Sequence, residues 1–199
     1  MEVRVTHGSL TDGDETVLVN ASNTNLQLGS GVSHAIRVAC GGGYQAQLNA
    51  VLEKRGGALE PGEVVMTDAG KHPRAKWVAH VAVMDYREGV HGSTFPTLDR
   101  VSRGTDSLWA QIEALGQDVS VAMVALGAGT GGLGLVDTIR IACVSLLALR
   151  PKRISRVTFY GYALHEFIAM AGVVSQYFPE VEAGLDPEIL EMVKLHRGK

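Results

Sequence analysis

Cysteine is scarce. Only Cys40 and Cys143 occur in 199 residues, each in apolar surroundings and neither in a CxxC pair. Nothing here supports a disulfide framework, and the expectation is a reduced, intracellular protein with buried thiols. Charge of one sign is missing as well: 18 Lys and Arg stand against 21 Asp and Glu, a net charge of −3. That balance carries no electrostatic footprint for tight binding to nucleic acid or to an anionic membrane. A long hydrophobic run is also absent. The longest uncharged stretch, Val119 to Val136, is interrupted by Gly127, Gly129, Gly131, Gly132 and Gly134, which would undermine a spanning helix. The amino terminus, MEVRVTHGSL, has a charge at position 2 and no apolar segment of signal-peptide length. The expectation is a soluble cytoplasmic protein with no membrane partner. Glycine, by contrast, is abundant, at 24 residues, and many of these fall in two loops.

Six runs rich in Val and other β-formers read as strands: Val3–Thr6, Thr16–Asn20, Glu63–Thr67, Trp77–Val83, Val119–Ala125 and Arg156–Tyr160. Helices are expected between them at Val32–Cys40, Tyr44–Arg55, Val136–Leu149 and Ala163–Tyr177, with a short charged one near Pro187–His196. Leu98, Val101, Leu108, Ile112 and Leu115 repeat at helical spacing, with Thr97 placed to cap the segment and Gly104 weakening it. The Val136–Leu149 helix is apolar nearly all round and is expected to be deeply buried. Strands alternating with helices predict an α/β layered domain. The first two strands are joined by too few residues for a crossover helix between parallel neighbours, so the sheet should be mixed. No repeat or linker-like tract divides the chain.

Two glycine loops precede helices. The first follows the second strand: Asn20-Ala21-Ser22-Asn23, then Leu28-Gly29-Ser30-Gly31-Val32-Ser33-His34-Ala35-Ile36. The second follows the fifth strand: Leu126-Gly127-Ala128-Gly129-Thr130-Gly131-Gly132-Leu133-Gly134. Glycines at such positions let backbone N–H groups approach an anion, and the helix start adds positive partial charge. Two such loops in one small domain suggest a diphosphate held between them. The second loop also contains GxGxxG at Gly127, Gly129 and Gly132, which raises a nicotinamide-dinucleotide oxidoreductase as a competitor. That fingerprint requires an acidic residue after the next strand, and Arg156–Tyr160 is followed by Gly161-Tyr162 instead.

The motif Asn20-Ala21-Ser22-Asn23 followed by Gly29-Ser30-Gly31-Val32-Ser33-His34-Ala35-Ile36 resembles the first signature of macro domains, a family that binds ADP-ribose. The similarity continues through Gly62–Thr67, Trp77–Val83, the second glycine loop and Val157–Tyr162, and so covers roughly Val3 to Phe178. It implies a three-layer α/β/α fold with a mixed six-stranded sheet. It also implies one macro domain over residues 1–199, with a core at about 3–178 and a C-terminal extension at 179–199. By the same resemblance, Asn23 would hydrogen-bond the distal ribose. Ser30, Gly31 and Val32 would contact one phosphate, with Ala21 and Ser33 flanking them. Ala128, Gly129, Thr130, Gly131, Gly132 and Leu133 would form the partner loop. Tyr162 would lie against the adenine and Leu10 beside its edge.

The departures matter equally. Many members carry an aspartate at the place of Ser9, which accepts a bond from the adenine amine; a hydroxyl there should bind adenine more weakly. Efficient hydrolases of the family have an aspartate at the place of Ser33 and an aromatic residue at that of Gly131. No Asp or Glu occurs from Thr16 to Leu52, which rules out a carboxylate base from the first loop. If bond cleavage occurs, Asn23 and His34 are the candidate catalytic residues, unless a substrate phosphate orients the water. The reactions implied by resemblance are release of ADP-ribose from acidic side chains, deacetylation of O-acetyl-ADP-ribose and dephosphorylation of ADP-ribose 1″-phosphate. A non-catalytic reader of ADP-ribose is the alternative from another class. Neither a cofactor nor a metal is implied, since His72, His80, Asp85 and His91 show no ligand spacing on one helix. The sequence gives no reading of oligomeric state.

Overall fold

The computed structural model describes residues 1–89 and 91–197. Its strands are β1 (Glu2–His7), β2 (Val17–Asn23), β3 (Val64–Asp68), β4 (Trp77–Met84), β5 (Val119–Met123) and β6 (Ile154–Gly161). They form one sheet in the order β1-β6-β5-β2-β4-β3, in which only β3 runs antiparallel to its neighbour. The sheet is therefore mixed, for a reason the short first link did not reveal. That link does not make β1 and β2 neighbours. It crosses β6 and β5 through a 3-10 turn at Leu10–Asp12 and delivers β2 parallel to β1, beyond the two strands it has crossed.

The helices are α1 (Gly31–Cys40), α2 (Tyr44–Arg55), α3 (Leu98–Glu113), α4 (Leu135–Leu149), α5 (Leu164–Tyr177) and α6 (Pro187–Arg197). Alternation along the strands divides them between two faces. Val17 and Val19 of β2, Val81 and Val83 of β4, and Val157 and Phe159 of β6 join Leu108, Trp109, Ile139, Leu146 and Val174 from α3, α4 and α5. Leu18, Val78 and Tyr160 point the other way, to Ile36, Tyr44 and Leu48 of α1 and α2. The result is a three-layer α/β/α domain. Val181 and Val193 are buried in the C-terminal segment, which packs on α5 through α6. Gly198 and Lys199, the end of the expected extension, lie outside the described residues.

Two helix expectations change. Helix α4 is not enclosed all round: Ile139, Ala142, Cys143 and Leu146 face the core, while Val144, Leu147 and Leu149 are exposed. Apolar composition without a polar stripe does not guarantee two covered faces, because α4 lies in an outer layer with sheet on one side only. In α3, Leu98 is exposed and Trp109 takes a place in the buried stripe. Gly104 of that helix is a packing requirement, since a Cβ there would come within 2.8 Å of Val81 Cγ1 on β4. Gly104→Ala is expected to destabilise by about 1–3 kcal/mol through overpacking, although helix propensity alone favours it by about 1 kcal/mol. Urea denaturation gives the sign directly, and a stabilised variant would show that β4 yields. Among the described residues, no helix is long and apolar enough to cross a membrane.

Candidate functional site

The five parallel strands end along one edge of the sheet, and that is where the cavity opens, as expected for an open α/β sheet. Strand β2 pairs with β5 only at Val17–Val121 and Leu18–Ala122, so beyond those residues the two strands part. Into the gap open Ala21 of β2 and Val124 and Ala125 after β5, which line a cavity of about 500 Å³. A register shift at Ser22/Asn23 against β4 turns the chain away from the sheet at the same level.

The cavity brings together residues from both glycine loops. Ser9, Leu10, Ala21, Ser30, Gly31, Val32, His34, Ala128, Gly129, Thr130, Gly131 and Tyr162 line it. Asn23, Ser33, Gly132 and Leu133 do not. Asn23 turns its amide onto its own loop: Nδ2 donates to the Gln27 carbonyl at 2.8 Å, and Oδ1 accepts from the N–H groups of Asn25 and Gln27, each at 3.1 Å. The loop needs that clamp, because Leu26 sits fully buried at φ +51°, a left-handed conformation that costs a leucine about 1–2 kcal/mol. Gln45 of α2 completes it by accepting from Leu28 N–H and donating to the Leu26 carbonyl.

Ser33 points into the protein. Its hydroxyl donates to Asn20 Oδ1 at 2.9 Å; the Asn20 amide donates to His80 Nδ1 at 3.1 Å. His80 Nε2 lies 3.1 Å from Tyr44 Oη and 3.2 Å from Thr67 Oγ1. One buried chain of polar groups thus ties the start of α1 to β2, β4, β3 and α2. Burial holds His80 down to about 3 from its ordinary 6.5, so the ring is neutral and serves as a core residue. Burial likewise pushes the thiols of Cys40 and Cys143 up to about 12, which leaves neither nucleophilic at neutral pH.

The loops themselves present donors. Ser30 is the residue before α1 but makes no side-chain cap, Gly31 holds φ +56°, and Ser30, Gly31 and Val32 line the cavity at a helix start whose first N–H groups have no intrahelical acceptor. In the second loop the N–H groups of Ala128, Gly132 and Leu133 are bonded to the carbonyls of Ala125, Gly129 and Gly127. Those of Gly129, Thr130 and Gly131 donate to no described residue. Gly131 has little freedom to be anything else. A Cβ there would run into the Gly127 carbonyl and come within 2.6 Å of Pro96, so an aromatic side chain at this position would require a different loop path.

Gly127 and Ala35, which belong to the two quoted loop motifs, also line it; Gly8, Val83, Met84, Val124, Ala125, Leu135, Tyr160, Glu166 and Met170 were not singled out from sequence. Tyr162, Glu166 and Met170 follow at four-residue spacing, one face of α5 and its approach, and that period was a usable signal. Four carboxylates at strand ends or in loops, Asp12, Asp14, Asp68 and Asp85, were expected within reach of the rim; none of them lines the cavity. Asp14 pairs with Arg156, Asp85 with Arg87, and Asp68 accepts from Gly70 N–H. Arg87 also holds the Asp85 carboxyl below the usual carboxylate range.

A three-layer α/β/α domain with a ligand-sized cleft at the strand ends, rimmed by free backbone donors, defines a class of small-molecule-binding α/β proteins. The Macro domain family model matches residues 19–142. The chain belongs to that family. An uncharacterised protein of Mycobacterium tuberculosis is 32% identical over 159 residues, 80% of this chain and 41% of its own length. A macro domain-containing protein of Streptomyces griseus is 29% identical over 174 residues, 87% of this chain and 94% of its own. The chain spans 15% of the length of a Thermotoga maritima relative to which it is 36% identical over 91 residues, 46% of this chain. Among solved structures, an Oceanobacillus iheyensis macrodomain variant with ADPR superposes with a TM-score of 0.74 at 18% identity, covering 88% of this chain and 92% of that one. A Trypanosoma brucei macrodomain in complex with ADP-ribose gives 0.68 at 21% identity, covering 85% of this chain and 67% of that one.

Proposed function

We propose that this chain binds ADP-ribose, free or attached to a larger molecule, in the cavity between the two glycine loops. The observation that carries the reading is the pair of donor arcs, Ser30–Val32 and Gly129–Gly131, on one cavity between two helix starts. That arrangement suits a diphosphate, whose oxygens would satisfy N–H groups left without partners among the described residues. Tyr162, Leu10 and Met170 line the cavity with apolar and aromatic surface suited to a planar base. Small side chains, Ala21 and Ala35, together with His34 suit the distal ribose. The relatives with ADPR and ADP-ribose support the same choice of ligand.

Among the described residues, His34 is the only imidazole and Glu166 the only carboxylate lining the cavity. Glu166 follows Tyr162 by four residues, and we assign both to the base. Water at the distal ribose would therefore be positioned by His34 or by a phosphate oxygen, with Asn23 acting through the loop it clamps. We propose binding with slow hydrolysis at most. Calorimetry with the purified chain is expected to give a micromolar dissociation constant for ADP-ribose, about −8 kcal/mol, and much weaker binding of NAD. Equal affinities would overturn the assignment. Incubation with an ADP-ribosylated protein, followed by the release of ADP-ribose, separates the hydrolase from the reader.

A further inference from the structure

We propose that Glu166 reads the exocyclic amine of the bound base and makes the site selective for 6-amino over 6-oxo purines. The inference rests on the ADP-ribose reading and adds the group that chooses the base. Ser9, the residue at the expected adenine edge, is already engaged. Its hydroxyl lies 2.8 Å from Thr11 Oγ1 and accepts from Thr11 N–H at 3.4 Å, capping the 3-10 turn. Gly8 N–H donates to the Gly161 carbonyl at 2.9 Å, so the Gly8–Leu10 lip is tied to the strand end from which Tyr162 and α5 depart. Glu166, whose backbone packs against Gly161, lines the same cavity as Leu10 and Tyr162, and no other carboxylate among the described residues does so.

The geometry also fixes which atom is available. Glu166 Oε2 accepts from Ala163 N–H at 3.0 Å, closing the first turn of α5 where an alanine precedes the helix and offers no side-chain cap. Oε1 has no hydrogen-bond partner among the described residues, which leaves an oriented acceptor at the cavity wall. A 6-amino group would donate to it in a charge-assisted bond. A 6-oxo group would set two acceptors against each other and leave the carboxylate unsatisfied. A hydrogen bond to one charged partner contributes about 10- to 100-fold.

The test compares ADP-ribose with its hypoxanthine analogue by calorimetry on the full chain. The wild-type protein is expected to prefer ADP-ribose by about 10- to 100-fold. In Glu166→Gln the amide oxygen can keep the Ala163 bond, which turns the –NH₂ toward the base, so the preference should vanish or invert. A Glu166→Gln protein that binds ADP-ribose and keeps the wild-type ratio overturns the proposal and leaves ADP-ribose binding intact. The wild-type ratio alone is a second check, independent of how the variant folds: equal binding of the two compounds also overturns it. A wild-type chain that binds neither removes the ADP-ribose reading together with this one.

Discussion

Glu15→Ala is expected to lower stability by about 3–5 kcal/mol, the range for breaking a buried charged network by removing one partner. Glu15 is 2% exposed and lies in the link that crosses β6 between β1 and β2. Arg156, Thr158 and Tyr160 alternate along β6, so all three face that link. Thr158 Oγ1 donates to Glu15 Oε1 at 2.6 Å, Tyr160 Oη donates to Oε2 at 2.8 Å, and Arg156 approaches Oε1 at 3.3 Å. Alanine would leave two buried hydroxyls facing a void and a largely covered guanidinium with Asp14 as its remaining carboxylate partner. Since Tyr160 also lines the cavity, ligand affinity should fall along with stability. Glu15→Gln keeps two acceptor contacts at most and should cost less. Guanidinium denaturation of the three proteins measures the order; an alanine variant within about 1 kcal/mol of wild type would show that water replaces the carboxylate at little cost.

Acid is expected to weaken the fold through His80, and the sign follows from its burial. In the unfolded chain the ring takes up a proton near 6.5, whereas in the folded chain it does so only near 3. Between those values the unfolded state binds more protons, so stability is fully present above pH 6.5 and drains away as pH falls toward 3. The share from this one residue is about 2 kcal/mol between roughly pH 7 and pH 5, because each pH unit below the unfolded value costs about 1.4 kcal/mol. His80→Gln keeps a polar side chain beside Asn20 and Tyr44 and cannot titrate. The difference between the wild-type and variant stability curves isolates the effect from that of the carboxylates. Parallel curves across that acid range would show that His80 is protonated in the folded state or reaches solvent.

The identity of the elements was legible because their periods are local. Val-rich runs alternate and helices repeat apolar residues at three and four, so all six strands and the main helices could be placed from neighbouring residues. The two glycine loops were legible for the same reason: a glycine-rich turn ahead of a helix leaves backbone donors free whatever surrounds it. The direction of Asn23 was not. The spacing of its motif says nothing about whether the amide faces a ligand or the loop, and the left-handed Leu26 behind it is visible only in three dimensions. In isolation Gly104 reads as a helix weakness and Gly131 as the place of a missing aromatic residue. Each has a neighbour, Val81 or Gly127 with Pro96, that only the folded chain brings near.

By itself the sequence determined the α/β class, the six strands, the two donor loops and the lack of any carboxylate in the first loop, since each of these is a property of contiguous residues. Tertiary structure alone decided the strand order, and with it the parting of β2 from β5 that opens the cavity. It alone set the chain from Ser33 to His80, the Glu15 cluster and the place of Glu166 on the cavity wall. Those features join segments from opposite ends of the chain. Their geometry is fixed by which strands pair and which faces the helices cover, and no local pattern of residues encodes that.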